Sequence, residues 1–304
     1  MAYDSIVLVK QVPDTANITA EAMKEDGTVN RAALPAIFNP EDLHALEAAL
    51  QVRDQYGGTV TVVTMGPPKA GDLLRDCLYR GADRAILITD RRAAASDTLA
   101  TSYILAQAVK TVGRFDFVFC GRQAIDGDTA QVGPQCAEKL GVTQVTYMDQ
   151  FLGAADGMVR LRRNLGRGWE IVEAKLPVLI TVIDTANTPR PRAARRVMRY
   201  KRARVQAELA GEVKAAMPEA SDEAVQAEVL RRTDALKQAG QLMEQWTMDD
   251  IHADLSRCGL AGSPTKVFKI QAIVLTKSGY TEIPPTEEGA SQLIHELVVD
   301  RTLG

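Results

Sequence analysis

The sequence predicts an α/β fold built around a doubly wound, mostly parallel sheet. Short apolar runs rich in β-branched residues alternate with helical patterns as far as about residue 150. Glycines close several of these helices, and 46% hydrophobic against 25% charged residues is the balance of an ordinary globular chain of 304 residues. Because strands joined through helices run parallel, we expect helices on both faces of the sheet.

The predicted strands begin with SIVLVK at 5–10, and the others lie at 59–65, 84–89, 115–121 and 142–148. Asn39 predicts a helix N-cap and Pro40 a first helical residue, with Gly57 closing that helix. Further helices are predicted to end at Gly81, to begin at Ser96 or Asp97, and to end at Gly141. Ligands of such sheets bind beyond the carboxyl ends of the strands, so the loops there are the ones to search.

Beyond residue 150 the pattern changes. Antiparallel strands are predicted at 157–164 and 168–177, a buried strand at 178–184, and a final helix near the end of the chain. Within 206–246 one amphipathic helix is predicted from apolar residues three or four positions apart, namely Val225, Val229, Leu236, Ala239, Met243 and Trp246. Its apolar stripe packs on its own domain or docks a partner helix.

Charge and cysteine usage exclude several classes of protein. Lys+Arg number 36 and Asp+Glu 39, and the net charge of −3 does not favour nucleic-acid binding. The four cysteines form no CxxC pair and the three histidines lack ligand spacing, so we predict buried thiols and no metal site. No apolar run approaches the ~20 residues that span a bilayer. The start lacks the basic and long apolar regions of a signal peptide, so we expect a cytoplasmic protein.

The most informative segment is CGRQAIDGDTAQVGP at 120–134, which follows a predicted strand. Gly121, Gly127 and Gly133 permit backbone conformations that side chains would block, and Pro134 places a helix start near Gly133. Backbone N–H groups there can face an anion, helped by the polar side chains of Gln123, Asp126, Asp128, Thr129 and Gln131. The segment fits neither GxxxxGK[ST] nor GxGxxG, which disfavours an ordinary P-loop or Rossmann site. A tightly turned loop without a ligand is the alternative.

Several segments together resemble the beta subunit of an electron-transfer flavoprotein. They include VKQVPDT (9–15), NPEDLHALEAAL (39–50), TMGPPKA (64–70), SDTLATSYILA (96–106), CGRQAIDGDTAQVGP (120–134) and KLPVLITV (175–182). The resemblance implies a heterodimer with an alpha subunit that carries FAD, and a C-terminal arm that wraps onto this partner. It also implies an adenine-nucleotide-binding, Rossmann-like fold that holds AMP in housekeeping members and a second FAD in electron-bifurcating members.

The resemblance and the loop together assign the nucleotide to residues at strand ends and helix starts. The expected cofactor-binding residues are Leu8, Val9, Lys10, Asn39, Pro40, Asp42, Met65, Gly66, Cys120, Gly121, Gln123, Ala124, Asp126, Gly127, Asp128, Thr129, Ala130, Gln131, Val132 and Gly133. No catalytic side chain is expected, because a flavin carries such chemistry itself. A side chain at Gly127 is expected to be damaging if the backbone φ there is positive.

The loop favours the bifurcating type, because 126–133 reads DGDTAQVG where housekeeping members usually have a DDxxNxTG-like sequence. In that type NADH gives a hydride to the FAD of the beta subunit. One electron then passes through the alpha-subunit FAD to a high-potential acceptor, and the other goes to ferredoxin or flavodoxin. Two alternatives stay open. One is a housekeeping subunit with structural AMP that passes electrons from dehydrogenases to a quinone reductase, and the other is a nucleotide-binding regulatory subunit without a redox role.

The sequence departs from the family in two places. The family's recognition loop resembles PRYxxLxxIMKAKK, whereas here Ala194 stands at the leucine position in a far more basic segment. This loses an apolar anchor of about 1.5–3 kcal/mol, which argues against the family's usual dehydrogenase partner. The expected partner is an acyl-CoA dehydrogenase-like or other redox protein, and the basic segment favours an acidic surface on it. Solvated arginines are the alternative. The second departure is the helical stretch after it.

These features divide the chain into four parts. We expect a nucleotide-binding α/β domain at 1–185 and a basic partner-recognition loop at 186–205. A helical insertion at 206–246 and an arm at 247–304 that contacts the alpha subunit are expected to follow.

Overall fold

The computed structural model describes residues 1–14, 34–265 and 282–299, and the elements below lie within these ranges. The strands are β1 (Ser5–Leu8), β2 (Gln11–Pro13), β3 (Ala36–Phe38), β4 (Val60–Met65), β5 (Arg84–Ile88), β6 (Phe117–Gly121), β7 (Thr143–Ala155), β8 (Met158–Asn164), β9 (Trp169–Lys175), β10 (Val178–Val182) and β11 (Glu244–Trp246). The helices are α1 (Pro40–Tyr56), α2 (Gly71–Arg80), α3 (Thr98–Val112), α4 (Val132–Leu140), α5 (Ala194–Tyr200), α6 (Gln206–Ala216), α7 (Asp222–Gln238) and α8 (Glu287–Val299).

The large sheet has the strand order β11-β5-β4-β1-β6-β10-β7-β8-β9. The strands from β11 to β7 are parallel, and β8 and β9 extend the sheet as an antiparallel meander. The chain winds outward from β1 to β4 and β5, then returns to β6 on the other side of β1. This doubly wound, mostly parallel sheet confirms the predicted fold class, and the reversal beside β1 is where such sheets open a crevice.

Two apolar cores form because the parallel strands bury side chains on both faces. On one face Leu46 of α1 and Leu74 of α2 pack with Val7 and Val62. The other face carries α3 and α4, whose apolar side chains pack with Ile6, Val63 and Ile86. The predicted strands and helices of the first half are confirmed within a few residues, except that β7 runs on to Ala155 and forms a hairpin with β8.

Helix ends follow the predicted signals at most positions. Asp97 caps α3, since its side chain accepts from the N–H of Ala100, and Gly141 closes α4 in a left-handed conformation with φ of 69°. Pro40 is the first residue of α1. Asn39 stands at the N-cap position of α1 as predicted, but its side chain makes no hydrogen bond to the N–H groups of this helix.

The predicted single helix in 206–246 is also wrong. Helices α6 and α7 form a hairpin with its own small core, where Val225, Val229 and Leu236 pack against α6. The chain turns at Gly240, which has φ of 62°, and then β11 joins the edge of the large sheet beside β5. Met243 therefore enters the core under α1 and α2, and the apolar stripe is divided between two environments.

Three features of the structure concern membrane spans, metal sites and cysteines. No helix in the described ranges is long and apolar enough to cross a membrane. No group of three His, Cys, Asp or Glu side chains in those ranges is placed to hold a metal ion. All four cysteines are reduced and buried, as predicted, and burial raises the pKa of the Cys136 thiol to about 12.

Candidate nucleotide site

The predicted site lies at the carboxyl edge of three adjacent strands, β4, β1 and β6. Leu8 at the end of β1 pairs with Val63 on one side and Cys120 on the other, so Val9 and Lys10 lead out between the two neighbouring strands. The loop after Gly121 starts on the same edge. Met65 and Gly66 end β4, but within the described residues no hydrogen bond joins them to this loop, and the N–H of Gly66 donates to Ile88.

The start of α1 holds the first half of the loop. Asn39 is fully buried; its amide nitrogen donates to the carbonyl of Gln123 at 2.9 Å, and its amide oxygen accepts from the N–H of Ile125 at 3.1 Å. The Glu41 carboxylate accepts from the N–H of Gln123 at 3.0 Å. Asn39 thus links strand edge and loop instead of capping its helix.

Asp42 is a buried acid of the site. One carboxylate oxygen accepts from the N–H of Gly121 and the other from the N–H of Lys10, both at 2.8 Å. Burial raises the pKa of Asp42 to about 7, although these hydrogen bonds lower it. The carboxylate therefore joins the ends of β1 and β6 at the cost of desolvating a charge.

A partly exposed salt bridge also holds the first half of the loop. The Lys10 ammonium lies 2.7 Å from both carboxylate oxygens of Asp126, with Lys10 about half exposed. Gln123 donates to Asp128 at 3.1 Å across the loop. These contacts give Asp126 and Asp128 a role in orienting the loop.

The glycines of the loop differ from expectation. A Cβ at Gly127 would meet nothing within 4 Å, and its φ is not positive, so the premise of a strained glycine there is wrong. The left-handed residues are Asp128 and Ala130, with φ of 48° and 52°. Gly121 does require its lack of a side chain, since a Cβ would lie 2.5 Å from Asp42 Oδ1. Gly133 is similar, with Cys120 Sγ at 2.9 Å.

The second half of the loop leads into α4 with open backbone donors. Within the described chain, the N–H groups of 129–133 have no hydrogen-bond partner. The side-chain oxygen of Gln131 accepts from the Thr98 hydroxyl at 2.8 Å, which ties the start of α4 to α3. Helix α4 begins at Val132, close to the predicted start, and its dipole adds partial positive charge there. This arrangement suits a phosphate-bearing ligand.

Sequence reasoning missed the contacts of Glu41 and Arg122. The Arg122 guanidinium lies 2.7 Å from Glu41, whose pKa is raised by burial and lowered by the Gln123 N–H and by Arg122. Both residues lie in segments that resemble the family, at 39–50 and 120–134. Their pairing could not be predicted because it depends on how α1 packs against β6.

The basic segment at 186–205 is largely folded onto the domain. Arg190 pairs with Glu47 at 2.8 Å and Arg192 with Asp76 at 2.7 Å. Arg196 donates to the carbonyls of Leu78 and Ala82. The remaining arginines of the segment that face solvent are Arg195, Arg199 and Arg202.

Comparison with known proteins identifies the family of the chain. The electron transfer flavoprotein domain matches residues 26–226. An electron transfer flavoprotein subunit beta from Clostridium acetobutylicum is 39% identical over 292 residues, which cover 96% of each chain. Protein FixA from Azorhizobium caulinodans is 41% identical over 274 residues, covering 88% of this chain and 83% of that one.

A third relative is named for a larger assembly. The caffeyl-CoA reductase-Etf complex subunit CarD from Acetobacterium woodii is 35% identical over 300 residues, which cover 98% of this chain and 94% of the relative. Taken together, the fold, the loop and these matches show that the chain belongs to the electron transfer flavoprotein family, among its beta subunits.

Proposed function

We propose that this chain binds FAD at the carboxyl edge of β4, β1 and β6 and serves as the beta subunit of an electron-bifurcating flavoprotein. The observation that carries the proposal is the run of N–H groups at 129–133, where the loop enters α4, which have no hydrogen-bond partner among the described residues. A pyrophosphate offers more acceptor oxygens than the single phosphate of AMP, so it matches this run of donors better.

The neighbouring side chains fit the same ligand. Lys10 supplies a cation at the loop, and its bond to Asp126 keeps that cation in place. Asp126 and Asp128 are anions, so they suit ribose hydroxyls and loop orientation better than phosphates. The open space at Gly127 leaves room beside the pyrophosphate.

Bound FAD supplies hydride uptake from NADH and release of single electrons. The chain's own residues then bind and orient it: the N–H groups of 129–133 and Lys10 neutralise phosphate charge, and Asn39, Glu41 and Asp42 fix the loop that presents them. No nucleophile or proton-abstracting base is required of the protein.

The partners follow from the family and from two surfaces. A beta subunit implies an alpha subunit, to which we assign the second FAD. Helix α8 exposes Leu293, Ile294, Val298 and Val299, which supports a C-terminal arm that covers this apolar side with the alpha subunit. The relative named for a caffeyl-CoA reductase-Etf complex supports a reductase as the high-potential acceptor, with ferredoxin or flavodoxin as the low-potential one.

An anaerobic NADH titration of the heterodimer tests the proposal. We expect the flavin absorbance of both subunits to bleach, and added ferredoxin or flavodoxin to be reduced only when a high-potential acceptor is also present. Lys10→Met is expected to weaken FAD retention in the beta site about tenfold, whereas Lys175→Met, at an exposed position on β9 in the outer meander, serves as the matched control. Flavin that NADH does not reduce would overturn the bifurcating function.

A further inference from the structure

Strand β7 contains a bulge beside the candidate site. Val145 pairs with Ile180 and Met148 with Val182, so Thr146 and Tyr147 together face only Thr181 on β10. The N–H of Tyr147 leaves the ladder and donates to the Thr181 hydroxyl at 3.0 Å. Bulges re-aim side chains and are frequent next to active sites.

The backbone of Tyr147 is strained. Its φ is 60°, in the left-handed region that a bulky side chain rarely adopts. A regular strand would avoid this conformation. Such strain persists where the surrounding structure enforces it, and it concentrates at ligand-binding positions.

The bulge lies at the rim of the proposed nucleotide site. Val182, opposite the bulge's end, also pairs with Gly121, and its carbonyl accepts from the N–H of Arg122 at 3.0 Å. Tyr147 therefore stands one strand beyond β10, on the edge from which the loop starts.

Tyr147 is 38% exposed as a residue, and the Arg122 guanidinium lies over its ring, 5.6 Å from the centre. Arg122 also bonds Glu41 at 2.7 Å, and Glu41 accepts from the N–H of Gln123 in the loop. The buried Nε of Arg122 has no hydrogen-bond partner in the described chain. A continuous set of contacts thus runs from the ring to the loop.

A second aromatic–arginine pair shows what is distinctive. Trp169 on β9 is 62% exposed, and Arg162 lies over its ring at 5.7 Å. That pair sits on the outer meander, with no positive φ at Trp169. An exposed aromatic ring with an arginine over it therefore does not by itself distinguish Tyr147 from Trp169. What distinguishes Tyr147 is its positive φ and its place in a bulge beside the loop.

We propose that Tyr147 stacks on the flat redox ring of the nucleotide, either the isoalloxazine of FAD or the nicotinamide of NADH. This inference rests on the proposed function. Any planar ring can stack on an aromatic side chain. The positive charge of Arg122, beside the tyrosine ring, favours a stacking partner that becomes more electron-rich when it is reduced. Tyr147 therefore contributes to binding only of ligands that carry a redox ring, and AMP, which lacks that ring, gains nothing from it.

The test compares ligands that have the second ring with ligands that lack it. Heterodimer with FAD in the alpha subunit and an emptied beta site is titrated with FAD and with AMP, and the FAD-loaded form with NAD⁺ and with ADP-ribose. The variants are Tyr147→Ala, Tyr147→Gly, which accepts the positive φ without strain, and Tyr147→Phe, which keeps the ring. Trp169→Ala is the control for removing an exposed aromatic.

We expect Tyr147→Ala and Tyr147→Gly to bind either FAD or NAD⁺ about 5- to 100-fold more weakly, with AMP and ADP-ribose within twofold of wild type. Loss for FAD identifies the isoalloxazine, and loss for NAD⁺ alone identifies the nicotinamide. Tyr147→Phe should restore most of the affinity, and Trp169→Ala should change none.

Four results would overturn the inference. Unchanged affinities for both ring ligands would remove the stacking role. Equal losses for FAD and AMP would mean that Tyr147 supports the loop or the adenine, and weaker association of the subunits with unchanged affinities would make it an interface residue. Failure of the wild-type beta site to bind either FAD or AMP would overturn the proposed function as well.

Discussion

The loop at 122–133 and the basic segment at 186–205 are both polar, and each divides into an anchored part and an open part. In the loop, side chains of Asn39 and Glu41 bind the first half, and no described residue accepts from the N–H groups of 129–133. In the basic segment, Arg196 and two other arginines bind the domain, and Arg195 is among those exposed. Residue type therefore shows where a functional segment lies. The partners of each residue decide which half is held against the domain and which half can bind a ligand or another protein.

The largest expected effect separates two glycines of the loop. Gly121→Ala would place a Cβ against Asp42 and the backbone of α1, so we expect a loss of about 3 kcal/mol or more in unfolding free energy. Gly127→Ala meets open space at an ordinary φ, and restricting the unfolded chain should leave stability unchanged or raise it by up to about 1 kcal/mol. Denaturant unfolding of both variants measures this. Equal losses of unfolding free energy in the two variants would contradict the distinction between Gly121, packed against α1, and Gly127, which faces open space.

Asp42 should make stability fall as the pH rises. Burial lifts its pKa to about 7, above the value of about 4 in the unfolded chain. A raised folded pKa contributes stability that is complete below about pH 4 and is lost as the pH rises through about 7. We expect Asp42→Asn, measured without nucleotide, to flatten this decline by a few kcal/mol.

A second acid provides the control for Asp42. Hydrogen bonds from Arg92 lower the pKa of Asp90 to about 2, so its contribution is present above about pH 4 and is lost only as the pH falls through about 2. Asp90→Asn should therefore leave the slope between pH 4 and 7 as in wild type. If Asp42→Asn also leaves that slope unchanged, the buried carboxylate does not titrate in this window.

Adjacent arginines test the basic segment. Arg196→Ala leaves the carbonyls of Leu78 and Ala82 without this donor and removes a guanidinium from the ring of Tyr200, so we expect a loss of about 1–3 kcal/mol. Arg195→Ala, at an exposed position, should change stability by less than about 0.5 kcal/mol. Thermal unfolding distinguishes them, and an equal loss for both would contradict the division of the segment.

The smallest effect concerns docking. If the open arginines meet an acidic redox partner, Arg195→Gln should slow association a few-fold at low salt and flatten its salt dependence, since rim charges act mainly on the association rate. Stopped-flow electron transfer from the reduced heterodimer measures the rate. An unchanged association rate at low salt would mean that these arginines are only solvated and do not contact the partner.

Much of the fold could be predicted because its signals are local. SIVL at β1 and the cap at Asp97 needed no knowledge of distant residues. The stripe from Val225 to Trp246 misled because helical spacing continues past Gly240, whereas β11 is fixed by pairing with β5 far away in sequence. Local periodicity does not encode that pairing.

The candidate site was predictable in place but not in detail. Glycines and Pro134 located the loop and the start of α4. Asn39 looked like a cap because the sequence does not show that β6 brings Gln123 within reach of its side chain. Tyr147 gave no signal, since its position depends on a bulge that forms only between β7 and β10.

The nucleotides released from the heterodimer show whether the beta subunit holds FAD or AMP. The complex of this chain with its alpha subunit would be purified without added nucleotide and denatured, and the released molecules would be identified and counted by chromatography. We expect two FAD per heterodimer, with about tenfold weaker retention of one of them in Lys10→Met. One FAD and one AMP per heterodimer would contradict it and leave a housekeeping flavoprotein.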